Sequence, residues 1–89
     1  MSDMQAYRAE IDRIDAQLIA LFEERMQVAR AIGSYKASRG MPVFDEEREK
    51  EKLLSVRAAA KDARSADELE RFFRAVMEIS RDAQEELRS

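Results

Sequence analysis

From Ser2 to Arg39 the sequence holds no proline and a single glycine, Gly33, and one glycine is too weak a breaker to end a helix. Tyr7, Ile11, Ile14, Leu18, Leu21, then Val28, Ile32 and Tyr35 advance in alternating steps of four and three. That is the seven-residue repeat of a coiled-coil seam. Arg25 fills the one missing step, and Phe22 and Ala29 widen the stripe, as expected of a helix with more than one packing neighbour. The spacing predicts a long first helix over about 3–38.

Ser38-Arg39-Gly40-Met41-Pro42 ends it, because glycine supplies a left-handed cap and proline cannot continue the ladder. Asp45 reads as the N-cap of a second helix over about 46–61, with Glu46 and Glu47 in its first turn. Ser65-Ala66-Asp67-Glu68 matches a capping box and predicts a third helix over about 66–87. Its stripe runs Leu69, Phe72, Phe73, Val76, Met77, Ala83 and Leu87, with Ser80 and Gln84 on the same face. Two glycines, one proline and 45% hydrophobic residues suit an all-α chain and disfavour a sheet protein. The 89 residues leave room for one domain, 1–89.

Length then constrains assembly. A first helix of about 33 residues spans ~50 Å, whereas a compact globule of this size is only ~30 Å across. The helix must overhang its own fold, and a second copy about a two-fold axis is the simplest cover for the seam, giving an intertwined six-helix homodimer of three-helix subunits.

Cysteine and histidine are both absent, which excludes disulfides, thiolate nucleophiles, histidine bases and the usual zinc sites. No metal or cofactor is expected, and chemistry must run on Arg, Lys, carboxylates, amides and hydroxyls. Sixteen basic against nineteen acidic residues give a net charge of −3 with both signs interspersed, so neither nucleic acid nor a membrane is an expected partner. Without a signal-like or membrane-spanning run, a soluble, cytoplasmic protein is expected.

Several polar residues fall where apolar ones belong. Arg25 on the seam needs an anionic partner, since an unpaired buried guanidinium costs several kcal/mol. Lys36, eleven residues on, lies only ~20° around the helix and ~16 Å along it, so the pair can grip one small anion. Ser80 and Gln84 add a hydroxyl and an amide to an apolar face. Arg8 is ~25 Å from Arg25 and reaches such a site only from the antiparallel helix of a partner. Arg48 and Glu49, just after the Asp45 cap, suit a pocket rim. Taken singly, each has a plainer reading: Arg25 as a register-setting residue, Ser80 and Gln84 as partners of each other or of a carbonyl.

The set Tyr7-Arg8-x-x-Ile11-Asp12-x-Ile14-Asp15, Leu21-Phe22-x-x-Arg25, Gly33-x-x-Lys36, Pro42-Val43-x-Asp45-x-x-Arg48-Glu49 and Ser80-x-x-x-Gln84 resembles the all-helical chorismate mutases over nearly the whole chain. The resemblance implies an interlocked dimer with two shared sites and, as substrate, the dicarboxylate chorismate, rearranged to prephenate on the way to phenylalanine and tyrosine. It assigns the carboxylates to Arg25 and to Arg8 of the other subunit, assisted by Ser80 and Arg48. Lys36 and Gln84 would donate to the ether oxygen, and Glu49 with the backbone near Asp45 would bind the ring hydroxyl. A pericyclic reaction needs no nucleophile, proton carrier or coenzyme, which accords with the missing His and Cys. An isochorismate-pyruvate lyase on the same scaffold and a non-catalytic helical dimerisation or regulatory module are the competing expectations.

Overall fold

The structure, a computed structural model, describes residues 2–88. Three helices make up the fold: α1 (Asp3–Ser38), α2 (Glu46–Ala59) and α3 (Ala63–Glu86), with no strand among the described residues. Ser2 opens α1 through a reciprocal cap, its hydroxyl accepting from the Gln5 amide while the Gln5 side chain accepts from the Ser2 amide. At the other end Gly40 takes φ +65°. The Met41 amide then donates to the Lys36 carbonyl and the Gly40 amide to the Ala37 carbonyl, the paired bonds by which a left-handed residue satisfies the last turn. Pro42 follows, and the chain turns back through Val43, which is buried.

Asp45 caps α2 by accepting from the Arg48 amide at 3.0 Å. α2 stops at Ala59, two residues before the expected end, where Ala60 turns extended. α3 begins at Ala63, earlier than the Ser65 spacing predicts, because Asp62 accepts from the Ser65 amide at 2.8 Å. Aspartate caps at least as well as serine, and it lies one turn upstream, so Ser65 and Glu68 fall inside the helix.

α3 is the central element: α1 and α2 each pack on it and not on each other. The buried apolar residues are Met26 and Ala29 of α1, Val56 of α2, and Ala66, Val76, Met77 and Ala83 of α3. Arg57 staples α2 to α3 from outside, donating to Asp67 at 2.9 Å and Glu70 at 3.1 Å. The Asp67 hydrogen bond leads in raising the Arg57 pKa, so this guanidinium stays charged at any working pH.

Within one chain, α1 turns Met26, Ala29 and Gly33 toward α3, and the heptad seam itself stays uncovered. Ile11, Leu18, Leu21 and Val28 are 56%, 47%, 62% and 56% exposed. The molecule measures 56 × 27 × 15 Å with a radius of gyration of 16.4 Å, against ~12 Å for a compact chain of this length. The overhang expected from helix length is present.

Candidate active site

Gly33 governs how closely α1 and α3 approach. A Cβ there would lie 2.8 Å from Gln84 Cγ and 3.0 Å from Leu87 Cδ1, so any larger residue pushes Gln84 aside. With glycine present, the Gln84 amide reaches Ala29 and its Nε2 donates to the Ala29 carbonyl at 2.9 Å. Nε2 carries two hydrogens, and this bond uses one of them.

Four turns of sequence logic meet at one cavity of about 320 Å³, walled by α1, the 41–45 link, α2 and α3. Its lining includes Arg25, Lys36, Asp45, Arg48, Glu49, Ser80 and Gln84, seven of the eight residues singled out from sequence. Arg8 is the exception: it is exposed and does not line this cavity, since seventeen residues of α1 separate it from Arg25, or ~25 Å.

Each polar group is held by a neighbour. Arg25 Nη1 donates to Ser80 Oγ at 2.7 Å, and the Ser80 hydroxyl donates back to the Val76 carbonyl at 2.9 Å. With its single hydrogen directed to Val76, Ser80 serves Arg25 as an acceptor and orients it. Ser80 and Gln84, each 7% exposed, thus bond to α1 and to the α3 backbone and not to each other. Lys36 Nζ donates to the Val43 carbonyl at 2.9 Å, which pins the ammonium and leaves two of its three hydrogens free. Every buried side-chain nitrogen and oxygen among the described residues has a partner.

Lys52 and Arg81 also line the cavity, and the sequence pattern did not single them out. Lys52 is one turn beyond Arg48 on α2, and Arg81 is one residue past Ser80 and three before Gln84, so helical spacing from the named residues was the available signal. Arg81 binds Glu49, with Nη1 2.6 Å from Oε2 and bonded also to Oε1. Arg48 is more weakly held, 3.8 Å from Glu51 at an exposed site. The cavity therefore presents five cations, Arg25, Lys36, Arg48, Lys52 and Arg81, against the carboxylates of Asp45 and Glu49. Such a lining attracts a small dianion and meets it with fixed donors.

The family described as chorismate mutase type II matches residues 7–85. A T-protein of Haemophilus influenzae is 36% identical over 81 residues, which is 90% of this chain and 22% of that protein. A bifunctional chorismate mutase/prephenate dehydratase of Aquifex aeolicus is 39% identical over 51 residues, 57% of this chain and 14% of that protein. The chain thus spans about a fifth or less of the curated relatives it matches. A chorismate mutase (form II) structure from Thermus thermophilus superposes with a TM-score of 0.88 at 27% identity, covering 94% of this chain and 96% of that one. A conserved hypothetical protein from Pyrococcus furiosus superposes at 0.75 with 34% identity, over 94% and 97% of the two chains. By sequence and fold, this chain belongs to the type II chorismate mutase family.

Proposed function

We propose that the cavity rearranges chorismate to prephenate, in a complete site to which a second copy of the chain contributes Arg8. The reaction breaks a C–O bond and forms a C–C bond within one molecule, so catalysis reduces to holding a reactive chair and stabilising the charge that grows on the ether oxygen. Arg25, oriented by Ser80, takes one carboxylate, with Arg48 assisting. Arg8 of the second subunit takes the other. Lys36 and Gln84 donate to the ether oxygen, and Glu49 with the backbone near Asp45 binds the ring hydroxyl.

The observation that carries this reading is that Lys36 and Gln84 line one cavity, each with its nitrogen tied to a backbone carbonyl by one hydrogen, so that each keeps further hydrogens to donate. Donors fixed before substrate arrives need no reorganisation as charge develops. The uncovered seam of α1 supports the dimer, because an apolar stripe of this length on a lone chain is an association surface.

Incubation with chorismate should consume its absorbance and yield prephenate, and incubation with isochorismate should give no salicylate. Lys36→Ala should lower kcat at least about a hundredfold with helicity unchanged by circular dichroism. Salicylate and pyruvate as products would assign the lyase reaction instead, and near-normal turnover by Lys36→Ala would remove Lys36 from the chemistry.

A further inference from the structure

Arg81 of α3 and Glu49 of α2 form an ion pair inside the substrate cavity, apart from the Arg57 cluster that also ties α2 to α3. The two side chains are 33% and 22% exposed, so solvent screens them less than it screens a surface pair. The Arg81 guanidinium also lies 5.3 Å from the centre of the Phe44 ring, within the range of a cation–π contact. One Arg81 nitrogen meets both oxygens of Glu49, and each oxygen keeps a further lone pair for another donor.

A lone carboxylate would be out of place here. The cavity is built to take a dianion, and an unneutralised Glu49 on its wall would repel both carboxylates of the ligand at short range. We infer that Arg81 is a positioning residue that cancels the charge of Glu49, so that a carboxylate can serve as the hydroxyl acceptor without driving the dicarboxylate substrate away. The inference rests on the chorismate mutase reading and adds to it a specificity role on α3: without Arg81, the residue that recognises the hydroxyl becomes the residue that rejects the substrate.

Steady-state kinetics with chorismate test this in four proteins: the unmodified chain, Arg81→Gln, Arg81→Lys, and Arg81→Gln combined with Glu49→Gln. Arg81→Gln should raise KM about tenfold or more while kcat falls less than about threefold, the pattern of lost ground-state and transition-state binding in equal measure. Arg81→Lys, which keeps the charge, should hold KM within about threefold of the unmodified chain. Adding Glu49→Gln to Arg81→Gln should bring KM back down at least about threefold, because the repelling charge is gone. A pair that only braces the fold would lower the folded fraction, read by circular dichroism, and leave the KM of the folded protein unchanged. An Arg81→Gln KM equal to that of the unmodified chain overturns the inference, as does a double variant no better than the single one. Should Arg81→Gln fail to fold, an Arg81→Lys protein whose KM rises tenfold overturns it equally. An unmodified chain that leaves chorismate untouched rejects the mutase reading, and this role falls with it.

Discussion

Gln84 is the residue whose surroundings say most about its chemistry. One Nε2 hydrogen goes to the Ala29 carbonyl at 2.9 Å, and the second is the one proposed for the ether oxygen. Gln84→Glu replaces those two hydrogens by none when ionised and by one when protonated. Activity should therefore fall at least about a hundredfold at pH 7.5, then rise about tenfold for each pH unit of acidification until the carboxyl is protonated. Even there it should stay below that of the unmodified chain, since Ala29 and the ether oxygen compete for a single hydrogen. A pH–kcat profile checks this, and a flat profile removes Gln84 from the donor role. The residue types were legible in the sequence because Arg25, Ser80 and Gln84 interrupt apolar stripes. Their partners were not: that Ser80 turns its hydrogen to Val76 and its oxygen to Arg25 depends on how α1 and α3 meet. Arg81 is illegible for a related reason, since a charged residue on a helix flank looks solvated until the facing helix supplies Glu49.

At the level of elements, the termini on either side of the 39–45 link are legible in the sequence and those on either side of the 60–62 link are not. Gly40 and Pro42 stop α1 where expected, and Asp45 starts α2 where expected. α3 starts one turn earlier than its capping-box spacing predicts because two good caps, Asp62 and Ser65, lie one turn apart and local spacing favours the second. The structure lets them be told apart energetically. Asp62→Ala removes the side chain that accepts the Ser65 amide and should cost about 1 kcal/mol, a fall in Tm of about 4–8 °C. Ser65→Ala removes nothing that caps the helix and should change stability by less than about 0.5 kcal/mol. Thermal unfolding of both variants at equal protein concentration checks the pair, and a larger loss from Ser65→Ala would reverse the assignment of the cap. The consequence for the site is indirect but physical, because the register of α3 sets where Ser80, Arg81 and Gln84 face the cavity.

For the whole molecule, helix length decides more than any side chain. The 56 Å extent and the bare seam follow from a 36-residue helix in a chain too small to cover it, and that much was arithmetic on the sequence. What arithmetic leaves open is which surface does the covering, since a seven-residue repeat serves a partner chain as well as its own. Inside the chain α1 uses the Met26, Ala29 and Gly33 face against α3 and leaves the Ile11, Leu18 and Val28 face bare. A second copy laid antiparallel on that bare face, as proposed, would bring its Arg8 toward the middle of this α1, where Arg25 stands. If the two sites are shared in this way, each site draws Arg8 from one subunit and Lys36 from the other. Arg8→Ala and Lys36→Ala homodimers are then both inactive. Mixing them in equal amounts under conditions that allow exchange makes about half of the dimers hybrid, each with one intact and one doubly damaged site. Activity should recover to about a quarter of that of the unmodified chain, rising with the time course of exchange followed by a tagged subunit. Exchange without any recovery places Arg8 outside the site, and activity in the separate Arg8→Ala protein equal to that of the unmodified chain shows that one subunit suffices.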